Sequence, residues 1–229
     1  MNARPTALLA RGFTLVELAI SLAIVALLLG MLVVPLSAQV DQARAAETQR
    51  QLEMIREAVI GFAMANGRLP CPATPTTPTG TAGAGSENKP GAACGITEGV
   101  MPWVALGVPE ADAWGRRFTY RITTIFADDA GAALSSFTLT DNGDITVTDG
   151  ATSIATTIPA IIVSHGKNGL GSFGSDGVQR AGAGGDELEN ADADTTFVSR
   201  ANAPDFDDLV IWTSPSVLKS RMVAASRLP

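Results

Sequence analysis

The spacing of apolar and polar positions shifts in character along this chain. From Leu18 to Leu36, 19 residues carry no charge, and Glu17 stands at the edge of that run, one turn inside the start of the apolar stretch. Residues 41–51 are polar nearly all round, with Arg44, Glu47 and Arg50 among them. Beyond them Leu52, Ile55, Val59 and Phe62 recur at three and four residues, the mark of one apolar helix face, until Asn66-Gly67 supplies a stop signal. The pattern predicts one helix over residues 13–65, about 80 Å long at 1.5 Å per residue. Its first half has the length and apolarity to cross a membrane, its polar middle bridges, and its second half docks on a domain.

Past residue 116 the period changes from 3.6 to 2. Phe118, Tyr120 and Ile122 alternate within 117–126, and 136–140 and 145–148 flank Asp141-Asn142-Gly143-Asp144, where Asn-Gly is a hairpin signal. Further strands are predicted at 160–164 and 209–213. Ser214-Pro215 is placed to open a short terminal helix, proline being suited to a first helical turn. The expected fold class is α+β: a long amino-terminal helix packed on an antiparallel sheet.

Charge and cysteines sharpen this outline. Arg4 and Arg11 precede the apolar run, which sets the leader in the cytoplasm and the rest on the far side. Cys71 and Cys94, the only cysteines, then meet an oxidising compartment, and a disulfide is expected; their spacing excludes a redox C-x-x-C pair. Between them runs a stretch rich in Pro, Thr, Gly and Ala that has too little apolar surface to order itself. A bridge would close this loop and contribute about 3 kcal/mol on the chain-entropy model. The formal charge of −7 leaves no basic stripe for nucleic acid.

An ionised group at the edge of hydrocarbon is costly, so Glu17 needs a partner, and the sequence offers no obvious one. Arg11-Gly12-Phe13-Thr14-Leu15-Val16-Glu17-Leu18 resembles the processing site of type IV pilins and of type II secretion pseudopilins. The resemblance implies cleavage by a prepilin peptidase between Gly12 and Phe13, methylation of the new Phe13 amine, and pairing of Glu17 with that amine on a neighbouring subunit. It also implies the partners of that family: other pilin or pseudopilin subunits, the inner membrane and its assembly platform. Pro35 stands one place later than the proline usual in such a helix. An ordinary secretory signal cut near Leu36-Ser37-Ala38, releasing a periplasmic or secreted binding domain, is the other reading. The apolar run is too long for it, and Leu36 is a poor residue for an A-x-A site.

Two further stretches resemble the major pseudopilin: Asp112-Ala113-Trp114-Gly115-Arg116-Arg117-Phe118-Thr119-Tyr120, and Ser164-His165-Gly166-Lys167-Asn168-Gly169 with the acidic run Asp186–Asp194 behind it. That acidic run offers the oxygen ligands calcium requires, without EF-hand spacing. The resemblance implies Asp192 and Asp194 as ligands, against the alternative of a solvated acidic loop. Gly169-Leu170-Gly171-Ser172-Phe173-Gly174 matches G-x-G-x-x-G, but no helical pattern follows to receive a pyrophosphate. His165, the only histidine, sits next to Ser164; neighbours at a strand end face opposite ways and do not form a nucleophile-base pair.

The expected organisation is a leader over 1–12, a transmembrane half-helix over 13–36, a periplasmic half-helix over 37–66, a disulfide-stapled connection over 67–116 and a sheet domain over 117–229. The expected role is structural, that of a pilin or pseudopilin, a minor one on the strength of its long loops, and not that of an enzyme.

Overall fold

The computed structural model describes residues 12–131 and 133–229, with side chains described outside 29–37. The expected leader falls outside this range except for Gly12. Two compact units emerge, one up to Ala43 and one from Arg44 to Pro229.

In the first unit the helix α1 (Leu15–Asn66) begins, and its helical assignment runs through Pro35. Among the described residues no helix is long and apolar enough to cross a membrane. The membrane-spanning half expected over 13–36 is therefore not borne out there. The uncharged stretch with described side chains, Leu18–Leu28, is about half of the roughly 20 residues a span needs.

The second unit opens with the polar stretch, where Glu47 and Arg50 form an exposed ion pair. Thr48 breaks that pattern: it is fully buried and its hydroxyl accepts a hydrogen bond from the Ala113 amide at 3.3 Å. Leu52, Ile55 and Val59 then lie at 0% exposure, as their spacing predicts, and Phe62 is half-buried beneath the Arg68 guanidinium. α1 ends where expected, with Gly67 at φ +74° donating to the Ala63 carbonyl, a backbone region that favours glycine.

The main sheet is antiparallel throughout, ordered β1 (Glu98–Val100), β2 (Thr119–Ile122), β5 (Ala160–Ser164) and β7 (Leu209–Thr213). Alternation divides its residues between two faces. Tyr120, Ile122, Ala160, Ile162 and Ile211 join Leu52, Ile55 and Val59 of α1 and Leu218 and Met222 of the terminal helix in one core. Ile161 and Val163 point the other way, into a core with Ile145, Val147, Ile158 and Phe197. That second core belongs to a three-stranded sheet in the order β4 (Ser153–Ile158), β3 (Ile145–Thr148), β6 (Thr196–Val198), whose β3–β6 pair is parallel. The short helices α2 (Trp103–Leu106) and α3 (Asp186–Glu189) and the terminal α4 (Pro215–Ala224) complete the unit. The α+β expectation is met, while the second sheet and its parallel pair were not foreseen.

The strand expected at 136–140 does not form, and Asn142-Gly143 closes no hairpin with it. Phe137 turns into the core against Phe126, ring centroids 4.6 Å apart. Asp141 Oδ2 accepts from the Thr138 amide and hydroxyl, and Lys219 Nζ donates to the carbonyls of Leu139 and Asp141. Local side-chain bonds and Lys219 thus satisfy groups that a ladder would have used. β3 pairs instead with β4 across a turn in which Asp149 accepts from Ala151 and Thr152.

Cys71 and Cys94 form the expected disulfide, with Cα atoms 5.4 Å apart. The loop they close is ordered by more than the bridge. Arg117, at 0% exposure, donates to the carbonyls of Pro75, Thr77 and Ser175, to the Thr79 hydroxyl and to Glu110, and lies over the Trp103 ring. Glu87 accepts from Arg68 and from the Cys71 amide, both at 2.7 Å. A polar network does here what apolar burial does not.

Candidate functional sites

The first site is local. Gly12, Phe13 and Thr14 precede α1 outside the helix, and Phe13 is 83% exposed. Thr14 is the cap: its carbonyl accepts from Leu18 at 3.1 Å and its hydroxyl from the Glu17 amide at 3.2 Å. Glu17 Oε2 reciprocates, accepting from the Thr14 amide and hydroxyl, each at 2.9 Å. This is a capping box, Thr-x-x-Glu, satisfying orphan donors of the first turn. Glu17 therefore has a partner within the chain, contrary to the sequence expectation. The signal was legible: a threonine three residues before a glutamate at the start of an apolar run.

The second site is assembled from three places in the sequence. Glu187 lies on α3, and Asp207 and Asp208 lead into β7; their carboxylate oxygens fall within 4.8 Å of one another. Asn168, from the loop after β5, ties two of them together: its Nδ2 donates to Glu187 Oε1 at 2.7 Å and its amide to Asp207 Oδ2 at 3.0 Å. Asn190 holds the third, donating to Asp208 Oδ2 at 2.8 Å while exchanging two bonds with the Val198 backbone. Two oxygens in this cluster, Asp207 Oδ1 and Asp208 Oδ1, are buried with no hydrogen-bond partner. Buried orphans of this kind are rare and ask for a cation or a proton.

Titration in the cluster follows from burial. Burial pushes Asp208 up to about 8, against the Asn190 hydrogen bond and with the help of the Glu187 and Asp207 charges. Asp207 is also raised, chiefly by burial. His165 lies behind, with Nδ1 3.9 Å from Asp208 Oδ2 and Nε2 2.8 Å from the Thr119 hydroxyl. Burial lowers His165 to about 4. At neutral pH the histidine is thus uncharged and Asp208 largely protonated, so the two form no ion pair. Thr119, His165 and Asp208 mimic a nucleophile, base and acid in order, but at 7%, 0% and 5% exposure they offer a substrate no approach. Ser164 points elsewhere, donating to Asp112 Oδ2 at 2.6 Å, as its place beside His165 predicts.

Asp192 and Asp194, the ligands expected from the resemblance, are exposed in the turn between α3 and β6. Their side chains accept from the amides of Asp194 and Thr196, and Ala193 between them has φ +64°. They do not join the three-carboxylate cluster. They lie instead near Glu98, which burial raises to about 7, Arg121 opposing and both aspartates adding to the shift. Arg121 spans the two parts, reaching Glu98 at 3.3 Å and the Ala193 carbonyl at 3.1 Å. Asp186 is taken by Arg200 at 2.6 Å. Sequence reasoning missed Asp207 and Asp208, although paired acids at the mouth of a predicted strand were there to be noticed.

Residues 9–33 match the prokaryotic N-terminal methylation motif, the prepilin-type motif of type IV pilins and pseudopilins. No curated protein and no solved structure matches the chain. The motif supports a pilin-like substrate of prepilin peptidase, a structural protein that assembles with other pilin subunits, and it fits a subunit of the inner membrane.

Proposed function

We propose, from the prepilin-type motif as premise, that this chain is a minor structural subunit of a type IV pilus or a type II secretion pseudopilus. Prepilin peptidase cuts between Gly12 and Phe13, the Phe13 amine is methylated, and Glu17 meets the Phe13 amine of a neighbouring subunit during assembly from an inner-membrane platform. The observation that carries this is the motif itself, joined to an exposed, non-helical Gly12-Phe13 link directly ahead of a capped helix. The Cys71–Cys94 bridge supports a periplasmic location for the second unit, and the long loops favour a minor subunit. The mass of the mature amino terminus tests the proposal. An N-methylated Phe13 sustains it, whereas a start near Gln39 gives the chain to ordinary signal cleavage and a secreted binding domain.

Calcium is the proposed ligand of the acidic cluster. Its donor set is all oxygen, two of the oxygens are buried orphans, and hard cations bind such sets. Glu187, Asp207 and Asp208 would hold the ion, which supplies charge neutralisation and a clamp between α3 and the start of β7. The resemblance favours Asp192 and Asp194 instead. Calcium titration of an Asp192→Asn/Asp194→Asn variant and of Asp207→Asn decides between the two sets.

A further inference from the structure

We infer that Asn142-Gly143 is a site of spontaneous covalent ageing, the one of the chain's three Asn-Gly pairs that the fold leaves open to deamidation. The pairs are Asn66-Gly67, Asn142-Gly143 and Asn168-Gly169, and all three asparagines are exposed, so access to water does not separate them. The side-chain amide does. Asn66, the last residue of α1, donates through Nδ2 to the Phe62 carbonyl at 2.9 Å, and the Gly67 amide donates to the Ala63 carbonyl at 2.8 Å. Asn168 is held at both ends: Nδ2 donates to Glu187 Oε1 at 2.7 Å and Oδ1 accepts from the Leu170 amide at 2.9 Å, while the Gly169 amide donates to the His165 carbonyl at 2.9 Å. The Asn142 side chain makes no hydrogen bond among the described residues and lies outside helix and strand. Its Gly143 amide has the longest of the three glycine bonds, 3.1 Å to the Thr157 carbonyl.

The chemistry needs only water. The Gly143 nitrogen attacks Asn142 Cγ, the bond from Cγ to Nδ2 breaks, and ammonia leaves with the Gly143 amide proton, closing a cyclic imide. Water then opens the ring. Cleavage of the nitrogen's bond to Cγ gives aspartate; cleavage of its bond to the Asn142 main-chain carbonyl carbon gives isoaspartate, with the chain routed through Cγ. An unbonded side-chain amide meets the Gly143 nitrogen after one local opening, whereas Asn66 and Asn168 must break side-chain bonds as well. The fold also keeps the reactive pair in place: a Cβ at residue 143 would strike the Ile158 carbonyl, so glycine is required there. Isoaspartate lengthens a backbone that is pinned on both sides. Lys219 Nζ donates to the Asp141 carbonyl at 2.6 Å, and the Asp144 amide donates to the Thr123 hydroxyl at 2.9 Å, directly ahead of β3.

The full-length chain is aged in heavy-oxygen water at mildly alkaline pH, digested and weighed peptide by peptide, beside the same chain unfolded in guanidinium chloride. In the folded chain the peptide holding Asn142 is expected to take up label about tenfold faster than those holding Asn66 and Asn168, the rate equivalent of one more side-chain hydrogen bond to break. In the unfolded chain the three rates are expected to converge. Asn142→Gln, which would need a larger ring, is expected to lose the label at that peptide. Asn142→Asp carries the aspartate product on an unaltered backbone and is expected to melt above the isoaspartate fraction of the aged chain. Folded rates that are equal, or led by Asn66 or Asn168, overturn the inference, as does label at that peptide in Asn142→Gln. Equal melts overturn the damage assigned to the lengthened backbone.

Discussion

The two candidate sites differ in how far apart their residues stand. Thr14 and Glu17 are three residues apart and need only one helical turn to meet. Glu187, Asp207, Asp208 and Asn168 come from three separate places in the sequence and meet only when β5, α3 and β7 are all in place. Local chemistry of the first kind survives outside a folded body. Chemistry of the second kind is a product of folding and is lost with it. The first is suited to a segment that an enzyme must read on every chain, the second to a site that reports the finished fold.

The largest effect should come from the local site. Gly12→Val is expected to abolish cleavage, since the peptidase must fit the residue before the cut, and a full-length mass in the membrane fraction would show it; normally shortened protein would end the pilin reading. A buried charge removed from the body should come next. Arg117→Met takes the guanidinium away from Glu110 and from the carbonyls of Pro75 and Thr77 and is expected to cost about 3 to 5 kcal/mol, read by denaturant unfolding. It also sharpens the contrast: the unfolded variant should still be cut at Gly12 yet lose calcium binding, and loss of both together would deny that the sites are independent.

Calcium itself should stabilise the second unit by about 2.7 kcal/mol at a hundredfold excess over its dissociation constant, with magnesium doing much less. Equal melting shifts with the two ions would leave the cluster without a calcium role. The smallest effect is a pH slope. Asp208 is raised from 3.8 to about 8 and Glu98 from 4.5 to about 7, so between those values the folded state binds more protons than the unfolded one and stability falls as pH rises. His165, lowered from 6.5 to about 4, acts oppositely below pH 6.5. Between pH 6.5 and 8 the fall should therefore dominate, at no more than about 1.4 kcal/mol per pH unit from one group. Asp208→Asn should flatten it in urea melts taken across that window.

What could be read before folding follows the same divide. The helix end at Asn66-Gly67, the apolar face at Leu52, Ile55 and Val59, and strands β3, β5 and β7 were legible because their signals are periodic or sit at single turn residues. The strand expected at 136–140 failed because Lys219, about 80 positions away, satisfies its carbonyls, and no local pattern carries that. Arg117's network was invisible for the same reason, since apart from nearby Glu110 its hydrogen-bond partners lie in loops 38 to 58 residues off. The capping box was legible and overlooked. The carboxylate cluster was half legible: Glu187 fell within the acidic run, but nothing in the sequence chose it over Asp192 and Asp194.

The parallel pairing of β3 with β6 carries a consequence for when this protein becomes itself. The two strands are separated by roughly fifty residues, and β7, near the end of the chain, must still dock on β5. Pairings of such long sequence separation form late, after a large loop-closure cost. The body therefore completes its folding only once β7 has been made, so a chain that stops short of β7 can present the amino-terminal tag while lacking the finished body. A ribosome that stops early makes a counterfeit subunit, and only a check on the folded part could detect it.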